Sequence, residues 1–217
     1  MKKVVFLIIN VIIATGIWAQ DTYSTFYYQR ATLFEQLSID SADIVFIGNS
    51  IVNGAEWSEL FKNKKVKNRG ISGDVCQGVY DRLSVITKGA PSKVFLLIGI
   101  NDLGRGGEPE LIIEGIKNIV DKINAESPRT LIYLQSILPV NDSFGMFSGH
   151  TKRWKEIKPL NRKLKELAKS KQITYIDLYS EFVEAGTDKL NPQYTNDGLH
   201  LLGAGYMKWV EVVEPYI

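Results

Sequence analysis

Short apolar runs alternate with longer stretches of helical spacing along most of this chain. Five runs read as strands: Asp43 to Gly48, Val66 to Arg69, Lys93 to Gly99, Thr130 to Ser136 and Thr174 to Asp177. The third and fourth are almost continuously apolar, as strands covered on both faces should be, and no Pro interrupts any of the five. Between them Pro109 stands where a first helical residue would, and Ile112, Ile113, Ile116, Ile119, Val120 and Ile123 follow at helical spacing. A second amphipathic stretch carries Trp154, Ile157, Leu160, Leu164 and Leu167, with Lys and Arg on its remaining faces. Both patterns predict helices laid against a sheet. Helical patterns also occur from about Thr25 to Leu37 and after Gly203, whereas Pro139 to Thr151 is irregular. Strands alternating with helices in this way specify βαβ units and an α/β fold around a parallel sheet.

With 217 residues the chain suits one well-buried domain. No internal repeat or low-complexity linker divides it, which predicts a single domain over 20–217. The first residues differ from the rest. Lys2 and Lys3 precede an apolar run from Val4 to Ala19, broken only by Asn10, Thr15 and Gly16, the layout of a signal peptide over 1–19. Ala19 offers the cleavage point, although Ile17 is bulkier than the usual small residue two places before it. The alternative, an uncleaved anchor, suffers because the run falls short of the roughly 20 apolar residues a spanning helix needs. The expected address is periplasmic or secreted.

The only cysteine, Cys76, lies deep in the domain, so neither acylation at the leader nor an internal disulfide is available. A net charge of +2 and 23% charged residues place the chain among ordinary soluble proteins. The richest basic run, Lys62 to Lys67, is short and reads as a solvated surface, so no nucleic-acid partner is expected. Two histidines, no Cys cluster and no His-Glu-x-x-His helix predict no metal site and no cofactor.

In open parallel sheets ligands bind beyond the carboxyl ends of the strands. The first three predicted strands each end in a Gly-containing turn: Gly48-Asn49-Ser50, Gly70-Ile71-Ser72-Gly73 and Gly99-Ile100-Asn101-Asp102. Far downstream, Asp197-Gly198-Leu199-His200 can bring an imidazole to the same rim. These turns offer a hydroxyl nucleophile, hydrogen-bond donors and a base. Taken singly each residue has a plainer reading: Ser50 as a helix N-cap, Asn101 and Asp197 as turn formers, Asp74 and Asp102 as structural carboxylates, and Cys76 as a small buried side chain.

Together and in this order, the blocks Phe46-Ile47-Gly48-Asn49-Ser50-Ile51, Asn68 to Asp74, Gly99 to Asp102 and Asp197 to His200 resemble those of the SGNH (GDSL-like) hydrolases across nearly the whole mature chain. The resemblance implies a three-layer α/β/α, flavodoxin-like sandwich with a five-stranded parallel sheet. It also implies Ser50 as nucleophile, His200 as general base oriented by Asp197, and the N–H groups of Ser50 and Gly73 with the Asn101 amide as oxyanion donors. One position departs from the family pattern: Asn49 stands where the first block usually has Asp, which bears on hydrogen bonding within the turn more than on catalysis. Val52 also occupies the place of the second glycine of a Gly-x-Ser-x-Gly elbow, which argues against an α/β-hydrolase.

The expected activity is a serine esterase acting on short-chain, chiefly acetyl, esters, with O-acetylated carbohydrates favoured by resemblance to platelet-activating-factor acetylhydrolase-like and carbohydrate acetylesterase members. Two alternatives stand beside it: a lysophospholipase or thioesterase for longer acyl chains, and a non-catalytic carbohydrate-binding domain. Phe144, Phe147 and His150 lie in the irregular stretch after the fourth strand. They would line the substrate pocket if that stretch reaches over Ser50; otherwise His150 is a surface loop residue.

Overall fold

A computed structural model describes residues 23–217. The predicted leader, 1–19, and the start of the predicted domain lie outside the described residues. Five strands, β1 (Ile44–Gly48), β2 (Val66–Gly70), β3 (Lys93–Leu97), β4 (Leu131–Gln135) and β5 (Thr174–Ile176), form one all-parallel sheet in the order β2-β1-β3-β4-β5. The expected strands are all present, with bounds shifted by a residue or two. The third and fourth each lose two residues, the third both of them at its carboxyl end. Gly99 takes φ +118°, outside extended geometry, so the chain leaves the ladder at Leu97 and turns into a short helix, Ile100–Gly104.

Helices cover both faces. Pro109–Glu126 and Trp154–Lys171 pack against each other, and Pro109–Glu126 also meets Cys76–Asp81. The helical stripe is buried as the spacing demands, with Ile112, Ile116, Ile119, Val120 and Ile123 at most 2% exposed. Ile113, at the stripe's edge, is only partly buried. Pro159 falls inside the Trp154–Lys171 helix, where it removes the amide that would otherwise bond the Lys155 carbonyl, yet the helix continues past it.

An aromatic row crosses the other face of the sheet. Phe46, Phe95 and Tyr133 are register partners on adjacent strands, with ring centroids 4.7 and 4.6 Å apart. Trp57 stacks on Phe46 at 4.1 Å, and Trp209, from the Gly203–Val213 helix, meets Trp57 edge to face at 4.9 Å. Burying a side chain of this size contributes about 1.5–3 kcal/mol, so this row anchors the C-terminal helix to the sheet centre.

The order 2-1-3-4-5 reverses direction between β1 and β3, and the connections after these two strands leave to opposite faces, opening a crevice at their carboxyl ends. Ser50 follows β1, and Asn101 follows β3.

Candidate active site

The turn after β1 is held from several sides. Asn49 Oδ1 accepts the Ile51 N–H at 3.0 Å, so Ser50 starts a one-turn helix, Ser50–Asn53. The capping oxygen is the part of this side chain that an Asp would share; the Asn49 Nδ2, which an Asp would lack, is buried without a partner. The carbonyls leaving this turn are taken by side chains: Tyr206 Oη donates to Ile51 and Trp57 Nε1 to Val52, while Asn68 Nδ2 reaches Val52, Asn53 and Ala55 at 3.0, 3.1 and 2.8 Å. Asn68 Oδ1 also accepts the Gly70 N–H, tying the first turn to the second.

The Asp197–His200 loop arrives from the C-terminal end of the chain. His200 Nε2 lies 3.0 Å from Ser50 Oγ, and His200 Nδ1 lies 2.8 Å from Asp197 Oδ2. The other Asp197 oxygen accepts the backbone N–H groups of Leu199 and His200 at 2.8 and 2.7 Å. Burial alone would raise the Asp197 carboxyl, but these two N–H groups and the imidazole outweigh it and hold the carboxyl below its usual range. An ionised Asp197 accepting the Nδ1 proton leaves the Nε2 lone pair facing the Ser50 hydroxyl, the tautomer a general base needs.

Three donor groups lie in the turns that follow β1, β2 and β3. Gly73 sits at φ +78°, a conformation that strains other residues, and its N–H donates to no backbone carbonyl among the described residues; nor does that of Ser50. Arg105 Nη2 donates to the Gly73 carbonyl, in the next peptide unit, at 2.6 Å. Asn101 is buried, its Nδ2 donating one hydrogen to the Asp74 carbonyl at 2.8 Å and keeping a second for another acceptor. A hydroxyl joined to an imidazole and a carboxylate is the equipment of acyl transfer.

The stretch after β4 is more ordered than its sequence suggests. It folds into a 3-10 turn, Asp142–Phe144, and a one-turn helix, Ser148–Thr151. Asn141 fastens it to the histidine loop, its N–H donating to the Gly198 carbonyl at 2.8 Å and its Nδ2 to Leu190 at 2.9 Å. Phe147 lies edge to face with His200 at 5.0 Å and stays 42% exposed, which puts an apolar edge beside the imidazole. Phe144 is half-buried, close to Gly198. His150 is no surface residue: it is half-buried, with Nε2 3.0 Å from Asn101 Oδ1.

Residues 46–208 match the GDSL-like Lipase/Acylhydrolase family. The chain belongs to this family. Among its relatives, subunit alpha2 of platelet-activating factor acetylhydrolase IB from Homo sapiens is 29% identical over 174 residues, covering 76% of this chain and 72% of that one. Solved structures agree. A GDSL-like lipase from Bacteroides thetaiotaomicron superposes with a TM-score of 0.76 at 25% identity, covering 88% of this chain and 96% of that one. A Streptococcus pneumonia protein, provisionally described as a platelet activating factor, gives a TM-score of 0.79 at 30% identity, covering 88% and 92%. This GDSL-like acylhydrolase is therefore a carboxylic ester hydrolase on an α/β fold with helices on both faces of a five-stranded parallel sheet.

The sequence reading missed one support of the acylhydrolase site. Arg82 and Asp74 form a buried ion pair, with Nε and Nη2 both 2.9 Å from Asp74 Oδ2, and Arg82 Nη2 also reaches the Gly48 carbonyl at 3.2 Å. The pair therefore braces the first and second turns together. Burial pushes the Asp74 carboxyl up to about 6 against the attraction of Arg82. Nothing in the local sequence marks Arg82, whose contact to Gly48 spans 34 positions. Arg82→Leu should destabilise the fold by about 3–5 kcal/mol, because it strands a buried carboxylate; urea unfolding at neutral pH measures this. Asp102, expected to be structural, accepts the Cys76 N–H at 3.0 Å, and Cys76 is buried, which keeps its thiol protonated. Among the described residues no cluster of His, Cys, Asp and Glu is placed to hold a metal, and no helix is long and apolar enough to cross a membrane.

Proposed function

We propose that this acylhydrolase cleaves short-chain, chiefly acetyl, esters of carbohydrates through an acyl-enzyme on Ser50. One observation carries the mechanism: the relay from Ser50 Oγ through His200 to Asp197, with links of 3.0 and 2.8 Å. Ser50 Oγ attacks the ester carbonyl carbon as its proton passes to His200 Nε2. The carbonyl oxygen becomes an oxyanion, received by the N–H groups of Ser50 and Gly73 and by Asn101 Nδ2. The bond to the alcohol oxygen then breaks, and His200 returns its proton to that oxygen. In the second half, His200 takes a proton from water, the hydroxide attacks the acyl carbon, and the carboxylic acid leaves as Ser50 regains its proton. Asp197 stays ionised throughout and stabilises the imidazolium.

The acetyl preference draws support from the acetylhydrolase relative. The saccharide alcohol is supported by the export layout of residues 1–19, which favours a periplasmic or secreted address, and by the fold shared with an acetylxylan esterase from Geobacillus stearothermophilus, TM-score 0.66 at 17% identity. A second reading has its own observation: Phe147 and Met146, both more than 40% exposed, offer an apolar edge to a longer acyl chain. A para-nitrophenyl ester series from two to twelve carbons separates the readings. We expect kcat/KM to be highest at two carbons and to fall by about 10-fold or more by eight, since even a single misfitted methylene is worth about 1–3 kcal/mol. A maximum at eight carbons or beyond would transfer the proposal to lipid or thioester substrates, and acetylated xylan or glucose esters then test the alcohol.

A further inference from the structure

The contact between His150 and Asn101 joins two short helices that are far apart in sequence. Asn101 lies in Ile100–Gly104 and His150 in Ser148–Thr151, and the two helices pack directly on each other. Their approach is built in. A side chain at position 104 would place its Cβ 2.3 Å from His150 Cδ2 and 2.5 Å from Nε2, so only glycine leaves room for the ring. Arg153 Nη1 donates to the Leu103 carbonyl at 3.0 Å and clamps the same helix pair from its far end. His150 is held from behind by its own N–H, which donates to the Phe147 carbonyl at 2.8 Å.

The direction of the hydrogen bond follows from the partners. The Asp74 carbonyl can only accept, so the Asn101 atom 2.8 Å from it is the amide nitrogen. The reverse orientation would set two acceptors against each other at that distance. Asn101 Oδ1 therefore faces His150, and since a carbonyl oxygen only accepts, His150 Nε2 is the donor. Burial, then the neighbouring His200 and Arg105, lower the proton affinity of His150, so the ring is neutral with its one N–H committed to this bond.

We propose that His150 is a positioning residue for the oxyanion: by donating to Asn101 Oδ1 it locks the amide with the remaining Nδ2 hydrogen aimed into the site. This rests on the oxyanion role proposed for Asn101. The amide of Asn101 is then fixed at both ends, by Asp74 and by His150, before substrate arrives, which is the condition for a donor to stabilise a developing charge without reorganising. His150 touches no reacting atom in this account; its effect passes through Asn101.

Steady-state kinetics on para-nitrophenyl acetate test this with Asn101→Ala, His150→Leu, the double variant, and the pair His150→Gln and His150→Asn. Asn101→Ala should lower kcat by about 10²–10³-fold. His150→Leu should lower kcat by about 10-fold with KM within about twofold, the pattern of an interaction made in the transition state. In the Asn101→Ala background His150→Leu should change kcat by less than about twofold, since its partner is gone. His150→Gln, whose amide nitrogen reaches as far as Nε2, should recover most of the rate, whereas the shorter His150→Asn should not. This pair carries the test if His150→Leu does not fold. An undiminished kcat in His150→Leu, or an equal loss with and without Asn101, overturns the inference while leaving the oxyanion reading intact. A full rate in Asn101→Ala instead removes the oxyanion reading itself.

Discussion

Ser50→Ala should lower kcat toward para-nitrophenyl acetate by on the order of 10⁴–10⁶-fold while leaving the fold intact. The side chain hydrogen bond of Ser50 runs to His200 Nε2, so removing the hydroxyl unseats no structural partner. The turn itself is held by Asn49, Asn68, Trp57 and Tyr206, none of which uses the Ser50 oxygen. His200→Ala should cost a similar factor, because the hydroxyl without a base is a poor nucleophile. The double variant should be no worse than either single one, since the residues act as a unit. Matched circular dichroism spectra and melting temperatures exclude unfolding as the cause. If Ser50→Ala kept more than about a hundredth of the parent rate, where a relay unit predicts far less, the nucleophile would have to be sought elsewhere.

Asp197→Asn should reduce kcat at neutral pH by up to about 10⁴-fold. The substituted side chain keeps an oxygen for the Leu199 and His200 N–H groups, so the loop stays in place. Its amide nitrogen would instead face His200 Nδ1 as a donor, favouring the tautomer that puts a proton on Nε2 and turns it from acceptor to donor toward Ser50. The same position carries a pH-dependent stability. Because the folded carboxyl is held below its ordinary range, the folded state binds this proton less tightly than the unfolded chain. The resulting stabilisation is present above the unfolded value of about 3.9 and fades as pH falls through the lowered folded value. Melting temperatures of parent and Asp197→Asn from pH 7 to pH 3 should therefore converge toward the acid end; a gap that widened there would contradict the depressed pKa.

Much of this molecule could be read from its residues because its strands are short apolar runs and its long helices keep one continuous stripe. The turn blocks were equally legible, since each follows a strand directly and strand ends in parallel sheets point to one rim. What escaped notice depends on contacts between distant segments. Arg82 looks like any surface arginine at the end of a short helix until the sheet brings Gly48 and Asp74 around it. His150 comes from a stretch without period, and its partner lies 49 positions away, so the sequence left it poised between a pocket residue and a surface one. Asn68, in the second block, gave no sign that it would gather three carbonyls from the first turn.

Ser50 and His200 stand 150 positions apart, and the loop that carries His200 is fastened to the chain leaving β4. A ribosome must therefore release almost the whole domain before the serine acquires its base. Until then the nascent chain holds an ordinary alcohol, unable to acylate itself on esters it meets. Recovery of esterase activity during refolding would report the arrival of that final loop, and comparison with the fluorescence of Trp57 and Trp209 would time it against closure of the aromatic core.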